Sequence, residues 1–213
     1  MILYKPTDGD VQTTRIEYRP KTCFVMTKIG TPIPREVKKI REKLTEVLSK
    51  YEMKEIDAGS EITGRDFLLK IWQMIVAVPL GIAIIDDSMS SNTLCNVFYE
   101  VGLTHALGKE TIVIKAENTK VPSDFVRTEY INFDNKFEEN LKKYFRTYFE
   151  LANHYETVAY QLERNPLLAI DYLRRAYLIS GNKELQVKAK KLHREATLED
   201  RAKNSVEQLL VDF

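Results

Sequence analysis

The 213 residues include only two cysteines, and these do not belong together. Cys23 opens an apolar stretch and Cys95 lies on the packed side of a distant helical segment, so neither a redox pair nor a metal-ligand spacing is present. Two buried free thiols in a reducing compartment are expected, and the chain is read as cytoplasmic. An excess of one charge is also missing. Lys and Arg total 32 against 31 Asp and Glu, so no global positive field favours nucleic acid. The basic run Lys188–Arg194 is flanked by Glu184, Glu195 and Glu199 and reads as a solvated face. No cationic segment precedes an apolar core at the N-terminus, so no signal peptide is expected. Phe67–Ile85 approaches the length of a membrane span, but Lys70 and Gln73 interrupt it, and Pro79 and Gly81 split it into a helix-like and a strand-like half. No membrane association is expected. There is no Walker or GxGxxG pattern and no metal-ligand cluster, so neither a metal nor a cofactor is expected.

What is present is a globular composition, 44% hydrophobic and 30% charged, long enough for one α/β domain and a small appendage. Residues 1–21 read as a hairpin or arm around the Asp8-Gly9 turn, set to pad a sheet edge or reach a neighbouring subunit. Cys23–Thr27 is a buried strand followed by the loop Lys28–Pro34. Val37, Ile40, Leu44, Val47, Leu48 and Tyr51 then recur at helical spacing. Met53–Ala58 is a short strand, and Thr63 and Asp66 have capping spacing ahead of a helix over Gly64–Val78. Leu80–Ile85 is a second buried run, ending in Asp86 and Asp87. A helix within Ser91 to Gly108 and the strand-like run Thr111–Lys115 follow. A weaker edge strand covers Val126–Phe133, and a helix from Asp134 carries an aromatic stripe assigned to the core. This alternation predicts an α/β fold, an open, mainly parallel, flavodoxin-like sheet over residues 22–149. From Glu150 to Phe213 the texture is helical. Asn165-Pro166 starts one helix and Gly181-Asn182 breaks the chain again. Ala169–Leu178, partnered by Ala152–Glu163, resembles a tetratricopeptide hairpin. A single hairpin needs something to dock on, so residues 150–213 are expected to dock on the α/β domain, a second copy or a partner protein.

The functional signal lies in Asn96-Val97-Phe98-Tyr99-Glu100-Val101-Gly102, carried on the segment between the second and third buried runs. At roughly 100° per residue, Thr93, Asn96, Thr104 and Leu107 share a face with Glu100, while Leu94, Phe98, Gly102 and His105 lie opposite. The expectation is an apolar face that includes Cys95 and Gly102 against the sheet, with Gly102 allowing close approach and Glu100 on the other face. His105 points away from Glu100 and is not its acid/base partner. Polar residues at the ends of parallel strands border the cleft of such a fold. That places Lys28 and Gly30 beside Asp86, Asp87, Ser88, Ser90 and Ser91 as candidate substrate contacts, each also readable as a loop or turn residue.

Asn96–Lys109, with Phe24–Thr27 and Ile82–Asp86, resembles the "NPNVFYELG…HALGK" signature of the TIR-like and nucleoside 2-deoxyribosyltransferase-like superfamily over roughly Thr22–Phe133. Asp86 and Asp87 stand farther from the motif's asparagine than is usual there, and Lys28-Ile29-Gly30 replaces a frequent Pro-Phe pair. The resemblance implies that Glu100 is the catalytic carboxylate of N-glycosidic bond cleavage or transfer, with Asn96 binding ribose hydroxyls or orienting it. The implied activity is an N-glycosidase acting on NAD or a related nucleotide as substrate. Relatives of this type often serve as bacterial immune effectors switched on by assembly. A nucleoside 2-deoxyribosyltransferase using the same glutamate is the alternative, and a non-enzymatic nucleotide-binding or adaptor module is a third reading.

Overall fold

Cys23–Met26, Leu80–Ile85 and Ile112–Ile114 are runs of buried residues without polar alternation, as strands covered on both faces require. In the computed structural model, which describes residues 3–12, 16–59, 66–120, 129–162 and 164–196, they form the centre of a sheet. The elements run β1 (Thr22–Met26), α1 (Arg35–Lys50), β2 (Lys54–Ile56), α2 (Phe67–Ala77), β3 (Leu80–Ile85), α3 (Ser91–Ala106), β4 (Glu110–Ala116), β5 (Glu129–Phe133), α4 (Phe137–Gln161), α5 (Pro166–Ser180) and α6 (Lys183–Glu195). The five strands pair in the order β2-β1-β3-β4-β5, every pair parallel. This is the flavodoxin-like order that the alternation of elements predicts.

Two compact units divide the chain, Thr22–Phe145 and Met1–Lys21 with Arg146–Phe213. In the first, Phe24, Met26, Ala83, Ile85 and Val113 pack with Ile71, Met74 and Ile75 of α2 and Val97 and Val101 of α3. The alternate residues of each strand point to the opposite face, where α1 presents its buried stripe Val37, Ile40, Leu44, Val47 and Leu48. Tyr51, just past α1, meets Phe145 of α4 with ring centroids 5.3 Å apart.

Local chemistry sets the element ends. Asp66 is the N-cap of α2 and accepts from Leu69 N at 2.9 Å, as its side chain is suited to do. Thr63 and Gly64, expected at this start, lie outside the described residues, as do Val126–Thr128 ahead of β5. The last carbonyls of α2 are met from another element: Lys109 Nζ donates to Val76 O at 2.9 Å and Val78 O at 2.8 Å. Strand β2 is shorter than the Met53–Ala58 expected, because only Lys54–Ile56 pairs with β1.

In the second unit the N-terminal turn is held by a Tyr4–Val11 bridge, and by Asp8, which accepts from Asp10 N at 2.9 Å. Within this unit Lys21 N donates to Leu178 O of α5 at 2.8 Å, and Arg174 of α5 donates to Tyr18 Oη at 2.8 Å. Asn165 caps α5, with Pro166 in its first turn and Gly181 at φ 71° ending it. Helix α4 runs unbroken through residues 149 and 150, and α5 packs most extensively on α6. Among the described residues no helix is long and apolar enough to cross a membrane.

Candidate functional site

A parallel sheet in this order has its topological switch point between β1 and β3, where the following connections depart in opposite directions and leave a crevice at the strands' carboxyl ends. Thr27, just beyond β1, is buried and donates through Oγ1 to Ile84 O of β3 at 3.2 Å, tying the two strands together at that edge. Lys28 follows, half-buried, and then exposed Ile29 and Gly30. Gly30 has φ 80° and open space where a side chain would stand, so its backbone conformation is the reason for a glycine there.

The loop after β3 is organised from within. Asp86 is buried and accepts from both the amide of Ser88, at 2.9 Å, and the Ser88 hydroxyl. Its own carbonyl accepts from Met89 N at 3.0 Å, and the Met89 side chain is buried beneath the turn. Asp86 is thus engaged as a turn former, whereas Asp87 and Ser88 are exposed. Ser90 is the N-cap of α3, accepting from Thr93 N at 3.3 Å, and Ser91 begins the helix, exposed.

Helix α3 is turned relative to the expectation. Its fully buried residues are Val97, Val101 and Thr104; Leu94 and Phe98 pack only at the margin. Gly102 is exposed with nothing within 4 Å of a Cβ added there, so it does not mediate close packing. That part belongs to Gly81 on β3, where an added Cβ would lie 2.8 Å from Thr104 Cγ2 and 2.9 Å from Met26 Cε. Cys95 is exposed rather than buried, and only Cys23 is a buried thiol. His105 is likewise exposed. The physical reason is a rotation of the packed arc. Thr104, expected beside Glu100 on a polar face, instead lies against the sheet, where its Oγ1 stands 3.7 Å from Met26 Sδ of β1.

One turn before Thr104, nearer the loop that follows β3, α3 carries the carboxyl of Glu100. It is half-buried, and among the described residues it has no hydrogen-bond or ionic partner. Burial alone pushes it up to about 7, from an ordinary 4.5. Asn96 is exposed on the outer side of the helix.

Lys70 of α2 is a candidate that the sequence showed only as an interruption of an apolar run. It is buried, its Nζ donates to Ala58 O just past β2 at 2.8 Å, and it stands 5.4 Å from the centroid of the Phe67 ring. A lysine within an otherwise apolar helix was the available signal. Thr27, Gly81 and Thr104 gave none, since their importance comes from what stands opposite them.

No family model matches the chain, and no curated protein matches it. Among solved structures the chain is similar to a 2-deoxyribosyltransferase from the psychrotolerant bacterium Bacillus psychrosaccharolyticus. The two share 13% identity with a TM-score of 0.42, over 56% of this chain and 89% of that one.

Proposed function

We propose that this protein breaks an N-glycosidic bond to ribose, with Glu100 as the carboxylate beneath the sugar and NAD or a related nucleotide as substrate. The observation that supports this reading is the state of the Glu100 carboxyl: half-buried on the helix that follows β3, and without an ionic partner among the described residues. As the bond from the anomeric carbon to the base nitrogen breaks, its electron pair leaves with the base and positive charge develops on the sugar. A carboxylate stabilises that charge or captures the carbon as an ester, and it does so more strongly away from water. An acceptor then completes the reaction. Water gives hydrolysis, and a second base gives transfer.

With burial holding its carboxyl near 7, Glu100 is about half ionised at neutral pH, which keeps a nucleophilic fraction available. Nicotinamide bound through a pyridinium nitrogen departs without taking up a proton, so one carboxylate suffices. An ordinary nucleoside base leaves more readily when protonated; Asp86 is committed to its turn, and exposed Asp87 beside it would be the acid available for that step. Control by assembly through residues 150–213 belongs to the same proposal.

The test is product analysis by mass spectrometry. The intact chain is incubated with NAD, and separately with mixed nucleosides and free bases, beside Glu100→Gln. Nicotinamide release that disappears in the variant supports the reading. Base exchange without net hydrolysis would establish the transferase instead. Tight nucleotide binding without turnover, unchanged in Glu100→Gln, would leave a binding module.

A further inference from the structure

We infer that Gly81 and Thr104 form a spacing contact that sets the depth of α3 against the sheet, and that through it they are positioning residues for Glu100. This rests on the reading of Glu100 as the acting carboxylate, although its structural half can be tested without any substrate. Three observations support it. Thr104 is 1% exposed in a helix whose outer half is solvated, so its side chain is held on all sides. Its methyl faces Gly81 so closely that a Cβ on that residue would lie 2.8 Å from Thr104 Cγ2, and 2.9 Å from Met26 Cε on β1. Its hydroxyl donates to the Glu100 carbonyl at 2.7 Å and stands 3.7 Å from Met26 Sδ.

The methyl therefore fixes distance to β3, and the hydroxyl fixes direction toward β1. Glu100 sits one turn away, about 6 Å along the helix axis. Little lies between it and the contact point to absorb a shift, because a helix moves as a rigid body over that length. Any outward displacement of α3 at Gly81 is delivered to Glu100 and opens its surroundings to water. Of the two atoms that an added Cβ would meet, Met26 Cε ends a flexible side chain and can yield, while Thr104 Cγ2 is attached directly to the helix and cannot yield alone. No charged group of the described residues contributes to the state of Glu100, so water entry is what its titration reports.

The experiment compares Gly81→Ala, Thr104→Ser and the double variant. Gly81→Ala adds the methyl that pushes α3 away, Thr104→Ser removes the one it pushes against, and the double variant moves the methyl across the interface at constant volume. The first readout is the Glu100 carboxyl titration, followed by NMR with carbon-labelled glutamate. Gly81→Ala lowers its midpoint from about 7 toward the ordinary range, and the double variant returns it. Thr104→Ser alone lets α3 settle inward and moves it the opposite way by less, and it remains a usable test should Gly81→Ala not fold. The second readout is turnover. In Gly81→Ala, kcat falls about tenfold or more with KM within about twofold, since misplacement of a reacting group by an ångström is enough for such a loss. The double variant recovers most of it.

A folded Gly81→Ala with an unchanged Glu100 midpoint overturns the inference, as does a double variant no closer to wild type than either single one. Failure of the proposed function looks different. The wild-type chain then turns over no nucleotide, while the carboxyl titration still decides whether the spacing contact holds Glu100.

Discussion

Replacing Glu100 by Gln should change how stability depends on pH more than it changes stability itself. The carboxyl is held at about 7 in the folded protein and returns to about 4.5 on unfolding, so the folded chain keeps a proton that the unfolded chain gives up. Between these two values the native state binds more protons than the unfolded state, and stability falls as pH rises. Above the folded value both states are ionised and the loss is complete. A shift of this size removes about 2–3 kcal/mol between about pH 5 and about pH 8. Glutamine has no proton to lose, so the variant lacks this slope. Its stability relative to wild type should improve by that amount across the same interval, whatever its offset at pH 5. Urea unfolding followed by Trp72 is the suitable assay, because this single tryptophan is buried in α2 of the same unit and reports on that unit alone. Parallel pH profiles for wild type and variant would refute the assignment of a raised carboxyl, and with it the claim that Glu100 is shielded from water.

Other consequences concern residues away from the crevice. Lys109→Met leaves the carbonyls of Val76 and Val78 without their ammonium and should cost about 1–3 kcal/mol, read as a lower urea midpoint by Trp72 fluorescence. Burial alone would raise the Asp171 carboxyl, yet Arg174 and Arg175 hold it below its ordinary value. Asp171→Ala strands the buried Arg174 and should cost the helical unit about 3–5 kcal/mol in thermal unfolding followed by circular dichroism. The stability this aspartate provides is present above its ordinary titration range and is lost as pH falls through the lowered folded value. A thiol reagent should modify exposed Cys95 at once and Cys23 only on unfolding, since burial, with Glu55 nearby, pushes the Cys23 thiol up and shields it.

The strand order was legible because its signals are local and redundant. Apolar runs such as Leu80–Ile85 admit few alternatives, and Asp66, Asn165-Pro166 and Gly181 mark helix ends by their own backbone chemistry. The face of α3 was not legible, because its apolar residues Leu94, Val97, Phe98, Val101, Leu103 and Leu107 surround most of the helix. With no clear stripe, the packed arc is decided by what stands opposite. Here that is Gly81, which admits Thr104 and so turns Cys95 and Gly102 outward. The Asp86-Asp87 pair was ambiguous for a related reason. Either residue could hold the turn, and burial of Met89 selects the one that does.

The measurement that bears most directly on the central claim is the pH profile of N-glycosidic bond cleavage by the intact chain, with NAD as substrate and Glu100→Gln alongside. A buried carboxylate acting on the sugar predicts a rate that climbs with pH, is half-maximal near 7 and levels off above it, and that is abolished in the variant. A profile already level at about pH 5, cleavage that survives in Glu100→Gln, or no cleavage at any pH would contradict it.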